Sequence, residues 1–324
     1  MNALTDTQLR SLRRELALPD LGDRYRLLSR LGRGGMGTVY LGRDSLLNRD
    51  VAVKVVEGDR GSTLFAQRLA EEAEVLARLE HPGIVPIHDF GRSPEGLDYY
   101  VMKHVAGETF ESYCMRDTPL ADRLRVLQKV CETIAFAHAR EVVHGDLSPR
   151  NVMVGAFGEV LTLDWGLARA ALARESAGES LSEREGTASS RRVGTPGYAA
   201  PELARVSSSA SAAVDIYALG GLLQLAATGK HPDDVAPVPA TRELAPLLAI
   251  CARASADAAQ DRYASCIDLA ADLARHIDQE RVHAYREPWP EALLRLGRKY
   301  RLFIALIGAY LLMRVLVAWW SATR

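Results

Sequence analysis

The order of apolar and polar residues divides the chain into a strand-rich first part and a helical second part. Residues 25–35, 36–44 and 50–56 are short apolar runs broken by glycines, which is typical of three antiparallel strands. Residues 63–80 carry apolar side chains at helical spacing and predict a helix. Two further strands are predicted at 84–91 and 97–105.

After about residue 110 the apolar positions follow the helical period. The pattern predicts helices at 121–141, 211–229 and 270–281. A β-rich small lobe followed by a helical large lobe is an α+β fold. Residues 1–24 precede it as a polar lead-in.

Composition narrows the classes of function. A net charge of −1 over 324 residues gives no sign of the positive charge that binds nucleic acids, so no nucleic-acid partner is predicted. The four cysteines have no CxxC spacing, which predicts reduced thiols in a cytosolic domain rather than a disulfide framework or a zinc site. The first residues lack the apolar run of a signal peptide, so none is predicted.

A glycine-rich segment lies on the first predicted hairpin. After Leu31, the residues Gly32, Gly34, Gly37 and Val39 follow the spacing G-x-G-x-x-G-x-V. Glycines let backbone N–H groups approach phosphate oxygens without a Cβ atom in the way. Dinucleotide-binding folds share part of this spacing, but they need a helix after the glycines, whereas a strand pattern follows here. A phosphate-binding hairpin is therefore favoured over a plain glycine-rich turn.

Lys54 ends the run Val-Ala-Val-Lys on the next predicted strand. This run and the glycine pattern together resemble eukaryotic-like (Hanks-type) bacterial serine/threonine protein kinases, and the resemblance continues for about 250 residues. It implies a two-lobed protein kinase fold over 25–280, with a small lobe at 25–105 and a large lobe at 106–280.

The resemblance also implies a role for Lys54, which would hold the α- and β-phosphates of ATP. A glutamate on the following helix would pair with it, and Glu71, Glu72 and Glu74 are available. The family spacing, counted back from the His-Pro pair at 81–82, selects Glu72.

Residues 144–151, His-Gly-Asp-Leu-Ser-Pro-Arg-Asn, resemble the kinase catalytic loop, and Asp-Trp-Gly at 164–166 resembles the DFG motif. By that resemblance Asp146 accepts the proton of the substrate hydroxyl, while Asn151 and Asp164 hold Mg²⁺. Carboxylate and amide oxygens are ligands that Mg²⁺ prefers.

Three residues depart from the family pattern. Gly145 replaces an arginine that in the family pairs with a phosphorylated activation segment, and Trp165 replaces a phenylalanine. Ser148 replaces a lysine that steadies the γ-phosphate. Arg150, four residues after Asp146, is predicted to supply the missing positive charge. The alternative is that Arg150 faces solvent and turnover is poor.

The adenine site also follows from the resemblance. Val39, Ala52 and Met153 are expected to contact the two faces of the ring, with Met102 behind it. The hinge from Lys103 to Val105 is expected to bind the ring through backbone groups.

The segment at 193–202 resembles the end of a kinase activation segment. Its Thr195 favours serine/threonine over tyrosine kinases, although an arginine at the position of Arg150 is common in tyrosine kinases. Glu202 and Arg262 are expected to form a buried ion pair, and Asp215 is expected to anchor the catalytic loop. Serines and a threonine at 176–190 are candidates for autophosphorylation, unless this stretch is an insert without control function.

The C-terminal run 302–320 is apolar except for Arg314. As a helix its 19 residues would extend about 28 Å, close to the roughly 30 Å of a bilayer core. The preceding segment 281–301 is basic, so the positive-inside rule predicts a single-pass anchor in the cell membrane with the kinase domain in the cytoplasm. An interfacial helix and a dimerisation helix are the alternatives.

The sequence therefore predicts an ATP-dependent serine/threonine protein kinase that signals at the cytoplasmic face of a membrane. Its expected cofactors are ATP and Mg²⁺, and its expected partners are protein substrates, the membrane and a second copy for trans-autophosphorylation. A membrane-tethered pseudokinase or nucleotide-binding scaffold is the alternative, motivated by Gly145 and Ser148. A small-molecule kinase of related fold is disfavoured by the segment 193–202.

Overall fold

A computed structural model describes ten parts of the chain: residues 18–34, 37–56, 63–165, 169–170, 195–204, 211–234, 241, 244–288, 297 and 300–323. Several features named from the sequence lie wholly or partly outside the described residues. They are the lead-in before residue 18, Gly166 of the Asp-Trp-Gly motif, the serines and threonine at 176–190, residues 193–194 of the segment 193–202, and residues 289–296 and 298–299 of the basic segment.

The small lobe is built on a five-stranded antiparallel sheet, which confirms the five predicted strands. The strand order is β1-β2-β3-β5-β4. The strands are β1 (Tyr25–Gly34), β2 (Gly37–Asp44), β3 (Arg49–Val55), β4 (Ile87–Arg92) and β5 (Asp98–Lys103).

Strand β3 is buried on both faces. Val51, Val53 and Val55 are fully buried in the apolar cluster on one face of the sheet. Because side chains alternate along a strand, Ala52 and Lys54 point to the other face. That face looks onto the cleft between the lobes, and Ala52 belongs to the main core there.

Helix α1 (Thr63–Arg78) confirms the helix predicted at 63–80. It packs against β4 and β5. Leu69, Ala73 and Leu76 share one face at helical spacing and are buried in the main core. Glu72 lies on the same face, so the packing of α1 turns its carboxylate toward β3.

The large lobe is mostly helical, as the sequence predicts, but it also carries two small sheets that the sequence pattern does not reveal. Their order is β6-β8-β9 and β7-β10. The strands are β6 (Gly107–Thr109), β7 (Val142–Val143), β8 (Val152–Gly155), β9 (Val160–Thr162) and β10 (Arg169–Ala170). The helices are α2 (Phe110–Met115), α3 (Leu120–His138), α4 (Ala212–Thr228), α5 (Ala245–Ala254) and α6 (Cys266–Ile277).

Helix ends follow local chemistry. Helix α4 ends before Gly229, whose φ of 67° is the left-handed conformation that favours glycine after a helix. Helix α6 begins four residues earlier than the predicted 270–281, because the Ser265 side chain accepts a hydrogen bond from the Asp268 backbone N–H and caps the helix there.

The C-terminal helix α7 (Arg301–Ala322) includes the run predicted at 302–320. Its 20 residues from Leu302 to Ser321 are long and apolar enough to cross a membrane. None of that stretch is buried against the rest of the described chain.

Candidate active site

Lys54 of β3 and Glu72 of α1 form a buried ion pair. The Lys54 Nζ atom donates to Oε1 and Oε2 of Glu72 at 2.9 and 2.8 Å. Of the three candidate glutamates, the structure brings Glu72 to the lysine. Glu71 instead accepts from Gln67, and Glu74 pairs with Arg78 at the exposed surface of the helix.

Asp164 approaches the same lysine from the large lobe. Lys54 Nζ donates to Asp164 Oδ1 at 2.6 Å. Burial alone would raise the pKa of Asp164, but the ammonium of Lys54 outweighs this and holds that pKa below its ordinary value. Asp164 has a φ of 57°, which is uncommon for a residue with a Cβ atom and turns its carboxylate into the cleft.

The neighbouring Trp165 is fully buried and packs its ring on His144, with ring centroids 4.6 Å apart. The tryptophan therefore fills space behind Asp164. This contact connects the Asp-Trp-Gly motif to the first residue of the predicted catalytic loop.

A buried carboxylate on α4 binds the backbone of the catalytic loop, as expected from the sequence. Asp215 accepts the backbone N–H groups of His144 and Gly145, each at 2.9 Å. His138 Nε2 lies 2.7 Å from the same carboxylate. Gly145 has a φ of 80°, a left-handed conformation that glycine adopts without the strain of a Cβ atom.

Asp146, the predicted base, faces the end of the activation segment. Its Oδ1 atom accepts two hydrogen bonds from Thr195, from the backbone N–H and from Oγ1, both at 3.0 Å. Burial raises the pKa of Asp146, and the Thr195 bonds offset only part of this. The contact expected of Thr195 is therefore present.

Asn151 and Asp164 provide oxygen donors that suit a hard divalent cation. The Asn151 Nδ2 atom donates to the Asp146 carbonyl at 2.9 Å, which leaves its Oδ1 atom for another partner. Among the described residues no group of three or more His, Cys, Asp or Glu side chains is arranged to hold a metal ion by itself. One carboxylate and one amide oxygen fit Mg²⁺, which keeps waters and phosphate oxygens as its other ligands.

The glycine-rich hairpin closes the small-lobe side of the cleft. A Cβ atom on Gly37 would lie 2.3 Å from the Val55 carbonyl oxygen, so this position requires glycine for the fold itself. A Cβ atom on Gly32 would meet nothing within 4 Å, and one on Gly34 would meet nothing nearer than 3.9 Å. The absence of side chains at Gly32 and Gly34 leaves open space, as a phosphate-binding turn needs.

The predicted adenine contacts come from both lobes. Ala52 pairs in register with Met102 on β5, and both are buried. Val39 pairs with Lys54 on β3, so it lies over the same part of the sheet. From the large lobe, Met153 lies on β8. The remaining predicted contacts are Leu31 at the start of the glycine segment, exposed Lys103 and buried Val105.

Tyr100 belongs to this site although the sequence reasoning missed it. Its hydroxyl donates to Glu72 Oε1 at 2.9 Å, and the side chain is 1% exposed. Tyr100 pairs with Lys54 across β3 and β5, and Lys54 Nζ lies 5.7 Å from its ring centroid. The signal was available: Tyr100 is two residues before Met102, so both point to the same face of β5.

Tyr100→Phe is expected to raise the KM for ATP about tenfold, with a smaller change in kcat. The hydroxyl holds Glu72 from the sheet, and a hydrogen bond to a charged group contributes about 1.5 kcal/mol or more. Steady-state kinetics over a range of ATP concentrations measures this. Tyr99→Phe is the matched control, because Tyr99 points to the opposite face of β5, where its ring packs against Tyr25 with the ring centroids 6.1 Å apart. Equal KM values for the two variants would contradict the role of Tyr100.

Arg150 pairs with a carboxylate that the sequence reasoning does not identify. Its Nε atom donates to Glu111 Oε2 on α2 at 2.9 Å, and its side chain is 74% exposed. Glu111 engages only the Nε donor of the guanidinium, so this contact neither requires nor rules out an additional contact with a γ-phosphate. The predicted contribution of Arg150 to phosphoryl transfer therefore stays a prediction.

Arg262, which is buried, and Glu202, which is partly buried, form the ion pair expected from the sequence. Arg262 Nη1 and Nη2 donate to the two Glu202 oxygens at 2.6 and 2.8 Å. Arg262 also donates to the backbone carbonyls of Ala213, Ala256 and Asp257. This pair braces the segment that follows Thr195 against the helical lobe.

Comparison with known proteins identifies the family of this chain. The family model described as the protein kinase domain matches residues 25–287. The chain belongs to the protein kinase family. Its kinase domain is 33% identical over 297 residues to the serine/threonine-protein kinase PknD of Chlamydia caviae, covering 78% of this chain and 31% of that protein. It is 34% identical over 278 residues to PknB of Mycobacterium tuberculosis, covering 79% of this chain and 43% of that protein.

A solved kinase domain confirms the fold. The crystal structure of the Mycobacterium tuberculosis PknI kinase domain superimposes with a TM-score of 0.59 at 27% identity, covering 80% of this chain and 99% of that one. The two-lobed kinase fold is therefore established. The chain spans less than half the length of the curated relatives PknD and PknB, at 31% and 43%.

Proposed function

We propose that this chain is an ATP-dependent serine/threonine protein kinase held at the cytoplasmic face of a membrane. The observation that carries the proposal is the convergence of Lys54, Glu72 and Asp164 opposite Asp146, whose carboxylate is held by Thr195. Kinase catalysis depends on positioning and charge neutralisation, and these groups supply both. The hydroxyl contact from Thr195 supports serine or threonine acceptors, as do the kinase relatives PknD and PknB.

In the proposed mechanism each residue has one task. Lys54, oriented by Glu72, would hold the α- and β-phosphates of ATP under the glycine-rich hairpin. Asp146 would orient the acceptor hydroxyl and take its proton as the oxygen attacks the γ-phosphorus, while the bond from that phosphorus to the β-phosphate oxygen breaks and ADP leaves. Asn151 and Asp164 would hold Mg²⁺, which when bound neutralises charge on the phosphates.

Kinase activity is tested with the full chain in detergent micelles, labelled ATP and Mg²⁺, with the chain itself and a generic protein as acceptors. Label on serine or threonine after acid hydrolysis is the expected result. ATP binding without label on any acceptor, with either Mg²⁺ or Mn²⁺, would instead support the pseudokinase. Ser148 motivates that alternative, because the side chain that replaces the usual lysine is 2% exposed and carries no charge.

The length and position of the last helix support a membrane anchor. We expect residues 25–280 to carry catalysis and the basic segment 281–301 to connect them to the helix at 302–320. The 22 residues of α7 extend about 33 Å, enough to span a bilayer.

Removal of residues 302–324 is expected to release the protein from membranes into the soluble fraction. Fractionation with an alkaline carbonate wash, which strips peripheral proteins, measures this. Arg314→Leu is the matched control and is expected to stay in the pellet, because it removes the only charge inside the apolar run. Loss of the intact chain in the carbonate wash would contradict a spanning anchor and favour an interfacial helix.

A further inference from the structure

An exposed arginine lies on the same loop as the residue that would orient the acceptor hydroxyl. Arg150 is part of the short 3-10 turn Pro149–Asn151, one residue before the metal-binding Asn151. It is four positions after Asp146, so the two Cα atoms are at most about 14 Å apart. An extended acceptor peptide advances about 3.3 Å per residue, so side chains two to four positions from the hydroxyl come within reach.

The guanidinium of Arg150 is held in one orientation. Glu111 on α2 accepts from its Nε atom at 2.9 Å. The second oxygen of Glu111 lies 3.2 Å from His231 Nε2, which fixes the carboxylate in turn. Within the described part of the chain no hydrogen bond is made by the two terminal amino groups of Arg150, and these form the fork that matches a carboxylate or a phosphate.

The same network reaches the segment that closes the acceptor site. The Tyr198 hydroxyl lies 2.9 Å from His231 Nδ1, and Tyr198 is three residues after Thr195. A chain of four side chains therefore connects four parts of the large lobe. They are Arg150 of the catalytic loop, Glu111 of α2, His231 after α4, and Tyr198 of the segment that also contains Thr195. The arginine is the exposed end of this network.

We propose that Arg150 is a specificity-determining residue that selects acceptors with an anionic side chain, a carboxylate or a phosphorylated residue, within a few positions of the phosphorylated hydroxyl. The inference rests on the proposed kinase function and names its substrate class. Glu111 is a positioning residue for this recognition, because it accepts a hydrogen bond from the Nε atom of the guanidinium and directs the two terminal amino groups outward. A phosphate, with more charge and three acceptor oxygens, binds the fork more strongly than a carboxylate.

The test uses the full chain and matched peptides with one threonine acceptor. A single glutamate, phosphoserine, lysine or alanine is moved from four positions before the acceptor to four positions after it. The kcat/KM of each peptide is measured for wild type, Arg150→Gln and Arg150→Glu. Arg125→Glu is the matched control, because Arg125 is also an exposed arginine held by a carboxylate, Asp122, but it lies on α3.

For wild type the glutamate peptide is expected to exceed the lysine peptide about fivefold at one or two positions, and the phosphoserine peptide by more. Arg150→Gln is expected to remove this ratio and Arg150→Glu to invert it, whereas Arg125→Glu keeps it. Glu111→Gln is expected to reduce the ratio without inverting it, because the guanidinium is still present but no longer held. If phosphoserine raises kcat/KM and glutamate does not, Arg150 selects acceptors with a phosphorylated residue nearby and does not select those with a carboxylate.

Several outcomes overturn the inference. If wild type phosphorylates all peptides equally, the kinase function stands and the role of Arg150 in selection is wrong. If Arg150→Gln lowers kcat/KM by the same factor for every peptide, Arg150 acts on the nucleotide or the loop and not on the acceptor. If wild type phosphorylates no peptide and no protein, the kinase function fails and the inference fails with it.

Discussion

Asp146→Asn is expected to lower kcat by about 10²–10⁴-fold, the usual contribution of a general base. The change removes the charge and the proton-accepting oxygen while it keeps the size of the side chain. The remaining amide oxygen still accepts from Thr195, which in the native chain donates to Asp146 twice at 3.0 Å. The acceptor segment therefore stays in place, and the KM for ATP is expected to change less than threefold.

The loss is measured as the rate of label transfer to a generic protein acceptor at saturating ATP, with nucleotide binding followed separately by calorimetry. Asp122→Asn is the matched control, because Asp122 is a surface carboxylate paired with Arg125 and far along the chain from the catalytic loop. An Asp146→Asn variant that keeps more than a tenth of wild-type kcat would show that another group takes the proton. Loss of ATP binding in this variant would show that its effect is structural.

Most of the fold and much of the candidate site could be predicted because they depend on short-range pattern. The five strands and α1 follow from apolar spacing within runs of 6 to 16 residues. The backbone role of Asp215 and the pairing of Glu202 with Arg262 followed only from resemblance to a family. No local pattern links residues that are 60 positions apart, as those two are.

The contacts that sequence reasoning missed are specific to this chain. The predicted role of Arg150, to replace the charge of the missing lysine, stays a prediction, but its contact with Glu111, 39 residues earlier, is one that the sequence reasoning does not identify. The partner could not be predicted, because α2 has only six residues, which is too short a window for a periodic pattern to fix the orientation of the helix. Strands β7 and β10 have two residues each, too short for any alternation to be detected.

Tyr100 is a different case, because its environment was predictable and its chemistry was not considered. Alternation along β5 places Tyr100 on the face of Met102, opposite Lys54. A buried tyrosine hydroxyl needs a polar partner, and Glu72 is the carboxylate that this face offers. The ion pair predicted from two residues is therefore held by three, which links the orientation of α1 to the central strands of the sheet.

Arg262→Leu is expected to reduce the free energy of unfolding by about 3–5 kcal/mol, the range for breaking a buried ion pair from one side. The Arg262 side chain is fully buried and gives hydrogen bonds to both oxygens of Glu202 and to three backbone carbonyls. Leucine leaves those carbonyls without their donor and removes the positive charge from beside Glu202. A shift of this size corresponds to a Tm lower by about 10 °C for a domain of this length.

Urea denaturation followed by circular dichroism measures this loss, and Arg253→Leu is the matched control. Arg253 is an exposed arginine of the same lobe that stacks 4.4 Å from the Tyr263 ring centroid, so its loss is expected to cost less than 1 kcal/mol. The double variant Glu202→Leu with Arg262→Leu is expected to be less destabilised than the sum of the single changes, because no lone charge is left buried. Additive losses, or an Arg262→Leu chain within 1 kcal/mol of wild type, would contradict the bracing role. Glu202 follows the segment in which Thr195 holds Asp146. A confirmed loss of stability in Arg262→Leu would therefore also explain a loss of kinase activity under conditions in which the domain is still folded.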